Sequence, residues 1–261
     1  MHRDPLSHKG ENGKVAVVGG SPTMHGAPLF ASLAAEASGV DLVFVALPAC
    51  HQEAAKSSSL NFQVYPFRGD DLGKKDIEPI LELLATMDSS VLGPGVDRGN
   101  RESLAALKEI IADASLPLVL DAGALQKETL SLVRGKGAVC TPHLGELERM
   151  GISIDEIGAK AKEYAVTIFL KGPTDRIASP DGKVIEIAGG NAGLTVGGTG
   201  DVLAGLIAGL IAQRMSPPEA CKTAATIVKR AATVLEAQKG YAFTTRDVIG
   251  EIPHLLHTIA Q

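Results

Sequence analysis

The sequence predicts an α/β fold in which a mostly parallel central sheet lies between layers of helices. Short β-branched runs alternate with longer helical segments along the 261-residue chain, and this alternation is typical of parallel sheets with helices on both faces. Several strand runs are apolar throughout, as in strands buried on both faces. Residues 167–188 depart from the alternation, because two strand-like runs there are separated by Pro173 and by a Ser-Pro-Asp-Gly turn at 179–182. This region predicts an antiparallel hairpin at one side of the sheet.

The individual elements follow from the same alternation. Strands are predicted, in chain order, at residues 14–18, 40–47, 90–92, 118–120, 138–140, 167–170 and 183–188. Helices are predicted at residues 27–38, 76–87, 101–114, 124–134, 153–164, 202–213, 217–238 and 245–259. The chain contains no low-complexity linker, charge block or internal repeat, so we expect residues 1–261 to form a single domain.

Composition excludes several classes of protein. Apolar residues make up 45% of the chain, but aromatic residues only 3% and tryptophan none, so the core must consist of Ala, Val, Leu and Ile. The net charge of −5 argues against a general binder of nucleic acid or of membrane surfaces. The three cysteines show no metal-binding spacing, the first residues are polar, and the longest apolar run, 202–212, is shorter than a membrane span. We therefore expect a cytoplasmic protein with neither nucleic acid nor membrane as a partner.

A glycine-dense turn provides the most specific functional signal. Gly197, Gly198, Thr199 and Gly200 lead directly to Asp201 and a small, apolar helix. Glycines allow close approach of a ligand to the backbone, and the helix directs its free N–H groups towards the turn, which together predict an anion cradle. A carboxylate beside bound phosphate is expected when it takes a proton from the hydroxyl that attacks the phosphoryl group. The alternative is a glycine-rich helix cap in which Asp201 stabilises the first turn.

Loops after the first predicted strands carry further candidates, each with a structural alternative. Residues 19–28 open a helix with small residues but lack the lysine of a P-loop, which indicates either a ligand at the helix start or tight packing. Gly93, Pro94 and Gly95 form a rigid turn whose amides are available to a ligand. Asp121 ends a buried strand, where it would hold a metal or water, or cap the next helix.

Two later loops add charged groups. His143 and Glu146 follow the strand at 138–140 with a spacing that does not fit zinc, and Glu146 also suits a helix cap. Lys171 ends a strand next to a glycine, which suits contact with a nucleotide phosphate or ribose; the alternative is an exposed lysine in a turn. The shared position of these residues at strand ends predicts an enzyme that uses a nucleotide.

Taken in order, these motifs resemble the ADP/ATP-dependent NAD(P)H-hydrate dehydratase family of the ribokinase-like superfamily. The most specific part of this resemblance is the Gly-Gly-Thr-Gly-Asp sequence that ends at Asp201, since related sugar and vitamin kinases share only Gly-x-Gly-Asp there. Leu144 departs from the proline of the family's Thr-Pro-His-Pro-Gly-Glu motif, but no departure removes the acid or the glycines. The other matching segments are residues 8–10, 13–21, 26–28, 37–39, 93–95, 141–146 and 170–172.

The resemblance implies a ribokinase-like three-layer α/β/α fold and a defined reaction. Hydrated NADH or NADPH, in its S form, would lose water at the expense of ADP or ATP, with Mg²⁺ as a cofactor and Asp201 as the base. The amides of residues 198–201 would stabilise the transferred phosphoryl group. The residues that it assigns to the hydrate are Ala27, Gly95, His143 and Asp201; those that it assigns to the nucleotide are Lys171, Gly172, Pro173, Thr174, Asp175 and Gly200.

The resemblance also implies partners, and it leaves rival functions open. It suggests a homo-oligomer, commonly a tetramer, and a hydrate epimerase on a separate chain, because the similar region starts close to Met1. The main rival is a ribokinase-like kinase that phosphorylates a small alcohol, such as a thiazole or pyrimidine vitamin precursor. It would use the same base and cradle but stop at a phosphate ester. A nucleotide sensor without catalysis is less consistent with the carboxylate of Asp201.

Overall fold

The computed structural model describes residues 3–259, so the ends of the predicted domain, 1–2 and 260–261, lie outside the described residues. Its centre is one sheet with the strand order β3-β2-β1-β4-β5-β6-β7-β8-β9. The strands pair in parallel as far as β7, and β7, β8 and β9 pair in antiparallel fashion. The predicted fold class is therefore confirmed. These strands are β1 (Lys14–Val18), β2 (Leu42–Leu47), β3 (Phe62–Pro66), β4 (Ser89–Leu92), β5 (Leu118–Leu120), β6 (Val139–Cys140), β7 (Thr167–Leu170), β8 (Asp175–Ala178) and β9 (Val184–Ile187).

Helices cover both faces of the sheet, and each face has its own apolar cluster. The helices are α1 (Gly26–Ala37), α2 (Gln52–Ser58), α3 (Ile77–Leu84), α4 (Arg101–Asp113), α5 (Thr129–Leu132), α6 (Leu144–Arg149), α7 (Ile157–Tyr164), α8 (Thr199–Ala212), α9 (Pro217–Lys239) and α10 (Thr245–Ile259). The helix predicted at 124–134 forms only the short α5. Helices α2 and α6 were not predicted, and neither were strands β3 and β8.

The antiparallel region contains three strands where the sequence predicted two. Pro173 lies in the loop between β7 and β8, whereas the turn at 179–182 joins β8 to β9. Both interruptions were identified, but the strand between them was missed. It has only four residues and begins with a charged one, Asp175, so its apolar signal is short. Its place in the sheet depends on pairing with β7 and β9.

Helices α1 and α8 are packed so closely that their backbones touch. A Cβ at Gly205 would overlap the carbonyl oxygen of Ala31, and one at Gly209 would overlap the hydroxyl of Ser38. Because later residues of α8 meet later residues of α1, the two helices run in the same direction and their N-termini open at the same end. Every residue of α8 from Val202 to Ala212 is buried. In the described part of the chain, no helix is both long and apolar enough to cross a membrane.

Candidate active site

Loops from several strands meet at the carboxyl-terminal edge of the parallel sheet, as the sequence predicted. The Gly20 amide, after β1, donates a 2.7 Å hydrogen bond to the carbonyl oxygen of Pro94, after β4. His143, after β6, and Lys171, after β7, extend their strands by a further parallel bridge. These contacts bring residues that are distant in sequence to one edge, which is where ligands bind in open α/β sheets.

Asp201 lies in the first turn of α8, behind a turn that requires glycine. Gly198 caps the helix with a positive φ of 100°, and a Cβ there would lie 2.5 Å from the ring of Phe30. The preceding residue is fixed by the Thr245 hydroxyl, which donates a 2.7 Å hydrogen bond to the carbonyl oxygen of Gly197. Helix α8 therefore begins at a glycine-rich turn, and a glycine-rich helix N-terminus of this kind is the arrangement of an anion site.

A lysine stands among carboxylates beside this turn. The Nζ of Lys171 is 2.7 Å from Oδ1 of Asp121 and 3.8 Å from Oε2 of Glu146, and both acids are buried. The Thr141 hydroxyl donates a further 2.8 Å hydrogen bond to Oδ1 of Asp121. A Cβ at Gly200 would lie 3.3 Å from Nζ of Lys171, so the ammonium also adjoins the first turn of α8. Lys171 is thus a counter-charge within the site, not an exposed lysine of a turn.

His143 and Glu146 fix each other at the start of α6. The His143 amide donates to Oε2 of Glu146 at 3.0 Å, and the Glu146 amide donates to Nδ1 of His143 at 3.3 Å. This reciprocal capping box orients the buried carboxylate of Glu146 towards Lys171. The predicted cap is therefore present, and it also forms part of the charge cluster. The imidazole of His143 is 56% exposed, which leaves it accessible to a ligand.

The electrostatic environment of the cluster raises the pKa of Asp201 close to physiological pH. The pKa of Asp201 is raised to about 7, mainly by burial and also by the neighbouring Asp121, while Lys171 opposes both effects. For Lys171, burial alone would lower the pKa, but the carboxylates of Asp121 and Glu146 outweigh it and the pKa is raised. A carboxylate with a pKa near 7 is well matched to general base catalysis at physiological pH, whereas Lys171 remains protonated.

A cavity of about 620 Å³ adjoins this cluster, a volume typical of sites for small molecules and nucleotides. Its polar wall comes from the loop after β7, the loop after β9 and the first turn of α8, and its apolar wall includes Leu194, Leu203 and Val228. The structure thus brings together most residues that were assigned to the nucleotide, whereas Thr174 is not among the lining residues. The assigned residues that line the cavity are Lys171, Gly172, Pro173, Asp175 and Gly200.

Asp175 lines the cavity but directs its carboxylate towards the protein. Its Oδ1 accepts a 2.9 Å hydrogen bond from the Gly172 amide, and its Oδ2 lies 3.3 Å from Nζ of Lys229 on α9. Burial raises the pKa of Asp175, and the Gly172 hydrogen bond and Lys229 counteract this only in part. Sequence reasoning missed Lys229, because a lysine in the middle of a long helix gives no sign of being buried.

The residues assigned to the hydrate lie in neighbouring loops. Gly95 has a positive φ of 71°, and a Cβ there would lie 3.2 Å from Cβ of Ala27 and 2.8 Å from the Met24 carbonyl oxygen. Gly95 and Ala27 are therefore in direct proximity at the start of α1. His143 belongs to the adjoining Lys171 and Glu146 cluster instead. The small residues at Gly95 and Ala27 allow the loop after β4 to approach the start of α1 closely.

The donor set is compatible with Mg²⁺ that arrives with a nucleotide. Among residues 3–259, no group of three or more His, Cys, Asp or Glu side chains is arranged to hold a metal ion. Mg²⁺ is usually bound through one or two carboxylates together with substrate phosphates and water, so a full protein cage is not needed. The carboxylates of Asp121, Glu146 and Asp201 face a single ammonium, that of Lys171. When all are ionised, this surplus of negative charge suits a divalent cation.

The nine-stranded sheet with helices on both faces is the ribokinase-like α/β fold. A ribokinase-like superfamily protein of Enterococcus faecalis superposes with a TM-score of 0.80 at 22% identity, covering 99% of this chain and 91% of that one. More specifically, the chain belongs to the NAD(P)H-hydrate dehydratase family, whose model matches residues 15–254.

Individual relatives agree with this family. The chain is 37% identical over 260 residues to the ADP-dependent (S)-NAD(P)H-hydrate dehydratase of Cenarchaeum symbiosum, with 96% of this chain and 90% of the relative covered. The ADP/ATP-dependent NAD(P)H-hydrate dehydratase of Bacillus subtilis, crystallised with ATP and Mg²⁺, superposes with a TM-score of 0.80 at 28% identity, covering 98% and 93% of the two chains. A bifunctional NAD(P)H-hydrate repair enzyme of Methanocaldococcus jannaschii is 39% identical, and the match covers 97% of this chain and 50% of that enzyme.

Proposed function

We propose that this protein dehydrates (S)-NAD(P)H hydrate to NAD(P)H with ADP or ATP as the phosphoryl donor and with release of phosphate. The observation that carries the proposal is the position of Asp201, a carboxylate with a pKa of about 7 in the first turn of α8, next to a cavity of nucleotide size. Relatives of the same family that are named ADP-dependent dehydratases support it.

Asp201 is the general base of the proposed reaction. Its carboxylate takes the proton from the hydroxyl of the hydrated nicotinamide ring, and the oxygen attacks the terminal phosphorus of the nucleotide. The bridging P–O bond of the nucleotide breaks, so that AMP leaves from ADP, or ADP from ATP. The amides of residues 198–201 stabilise the negative charge on the transferred phosphoryl group. The C–O bond to the ring then breaks as the ring nitrogen supplies its electron pair, and phosphate leaves. Loss of a proton from the adjacent ring carbon to water forms the C=C bond and restores NAD(P)H. Positioning and electrostatic stabilisation are the main requirements of phosphoryl transfer.

The two substrates occupy neighbouring parts of the site. In this proposal the hydrate contacts Ala27, Gly95 and His143, at the starts of α1 and α6. The base of the nucleotide lies against the apolar wall of the cavity, and its phosphates extend to Lys171 and Gly200, with residues 172–175 forming the loop beside them. Mg²⁺, when bound with the nucleotide, neutralises phosphate charge, and Asp121 and Glu146 are the carboxylates offered to it.

A spectrophotometric assay tests the proposal. Purified protein and Mg²⁺ are mixed with chemically hydrated NADH, and ADP or ATP is added in parallel. We expect the near-ultraviolet absorbance of NADH to return only when nucleotide is present, and to a much smaller extent with the Asp201→Asn variant. Recovery with one nucleotide also identifies the donor. A flat trace from folded protein that binds ADP, together with a stable phosphate ester formed from a small alcohol, would instead establish the kinase alternative.

We further propose a homo-oligomer, with a tetramer as the form to be tested by light scattering, and a cytoplasmic location. A hydrate epimerase is the proposed partner activity. Its support comes from the relatives named bifunctional repair enzymes, of whose length the match covers about half. An epimerase added to the assay should increase the fraction of a mixed hydrate preparation that is converted, since the dehydratase would act on the S form alone.

A further inference from the structure

A buried lysine behind the nucleotide cavity joins two separate loops. Lys229, on α9, is only 6% exposed. Its Nζ donates to the carbonyl oxygens of Pro173 at 3.0 Å, Gly189 at 3.2 Å and Gly172 at 3.4 Å. It also lies 3.3 Å from Oδ2 of Asp175. The ammonium therefore has four oxygen neighbours, all of them from the protein.

The two loops form separate parts of the cavity wall. Gly172 and Pro173 follow β7, whereas Gly189 follows β9, and β8 separates these strands in the sheet. Both loops and Lys229 itself line the cavity. Without the ammonium, three carbonyl groups and the buried carboxylate of Asp175 would lose a donor, and the loss is costly above all for the buried carboxylate.

The neighbouring residue Asn191 supports the same fixation. Its Nδ2 donates to the Ala232 carbonyl oxygen at 2.8 Å and to Oε2 of Glu236 at 3.0 Å, both on α9. Its Oδ1 accepts a 2.9 Å hydrogen bond from the Gly193 amide. Helix α9 therefore holds the segment after β9 at two points, and Lys229 is the point that also reaches the loop after β7.

We propose that Lys229 is a positioning residue that sets the spacing of the two nucleotide-binding loops. A lysine ammonium has three donor hydrogens, and the wall of the cavity already offers it four oxygens. Lys229 therefore acts through the loops and makes no contact with the reacting phosphoryl group. Its loss should weaken nucleotide binding while the chemical step at Asp201 is largely retained. The inference rests on the proposed function only in assigning this cavity to ADP or ATP.

Replacing Lys229 alone would leave Asp175 as an uncompensated buried carboxylate, which by itself can destabilise a protein. The test therefore compares Asp175→Asn with the double variant Asp175→Asn/Lys229→Met. The two variants differ only at residue 229, so the comparison isolates the hydrogen bonds from Lys229 to the carbonyl oxygens of the two loops. Arg230→Met is the matched control, because Arg230 is the next residue of α9, carries the same charge and is exposed. Lys229→Arg tests whether a longer cation rescues binding.

Binding of ADP with Mg²⁺ is measured by titration calorimetry, and folding by circular dichroism and thermal unfolding. We expect the double variant to bind ADP about tenfold or more weakly than Asp175→Asn, in keeping with the loss of several partly buried hydrogen bonds. Arg230→Met should bind as the unaltered protein does, and Lys229→Arg should lie in between. In the hydrate assay the KM for ADP should rise while kcat at saturating ADP stays within about threefold.

Equal ADP affinity of the double variant and Asp175→Asn would overturn the inference, as would a fall in kcat with unchanged affinity. If the double variant does not fold, Asp175→Asn/Lys229→Gln, which keeps one amide donor, is measured in the same way and judged by the same comparison. Calorimetry needs no hydrate, so a protein that binds ADP through Lys229 but fails to restore NADH would contradict the proposed function alone. Absence of ADP binding to the unaltered protein would contradict both.

Discussion

Replacing Asp201 by asparagine should stabilise the protein while it removes the activity. The pKa of Asp201 is raised from 3.8 to about 7, mainly by burial and also by the neighbouring Asp121. Each pH unit of this difference corresponds to about 1.4 kcal/mol. Below about pH 4 the carboxyl is protonated in both the folded and the unfolded chain, so it does not reduce the free energy of unfolding. Between about pH 4 and 7 only the unfolded chain ionises, so stability falls as pH rises. Above pH 7 the full cost of about 4 kcal/mol is present.

The Asp201→Asn variant should escape this cost, so its gain in the free energy of unfolding should depend on pH. We expect a gain of about 4 kcal/mol at pH 8 and about 2 kcal/mol at pH 5, measured by urea denaturation of both proteins at each pH. Turnover of the hydrate should fall about 100- to 10,000-fold, the usual contribution of a general base. Asp113→Asn, at the exposed end of α4, should change stability by less than about 0.5 kcal/mol at either pH. A gain that is the same at both pH values would refute the electrostatic reasoning.

Two further substitutions address the charge cluster and the helix packing. Lys171→Met removes the cation that lowers the pKa of Asp201. The pH at which kcat/KM rises should therefore shift from near 7 upwards by about one pH unit or more. An unchanged profile would show that the two groups are not coupled. Gly205→Ala places a methyl group against the Ala31 carbonyl oxygen and should cost about 3 kcal/mol in thermal or urea unfolding. Gly250→Ala, in α10 with no atom within 4 Å of the new Cβ, should be neutral or stabilising; similar losses at both glycines would contradict the packing argument.

The fold class could be predicted because its main determinants are local in sequence. Buried parallel strands are continuous apolar runs, and β1, β4, β5 and β7 were placed to within a residue. Strand β3 lies at the edge of the sheet and buries only Phe62 fully, so its sequence has neither an apolar run nor a clear alternation. Helix α5 is shorter than predicted because residues Ala122–Ala124 form a 3-10 turn and Leu125 is then extended, which apolar content does not reveal.

The site could be predicted as a set of loops but not as a set of interactions. The glycines and Asp201 are adjacent in sequence, so the hypothesis that they form a cradle and a base could be drawn from the motif alone. Lys171 was expected to contact the nucleotide, and its ion pair with Asp121 spans 50 residues. No local pattern encodes such a pair. Lys229 is a still clearer case, because its burial follows from loops that fold back against α9 from 40 to 57 residues away.

The direct contact between α1 and α8 has a mechanical consequence. The proposed acceptor site begins at the start of α1 and the proposed donor site at the start of α8, and the two helices run side by side in the same direction. With Gly205 and Gly209 against α1, the distance between these starts is set by main-chain atoms and not by side-chain rotamers. The attacking hydroxyl and the phosphoryl group would therefore be held by two rigidly packed helices. Bringing them together needs no movement of one layer of the protein relative to the other.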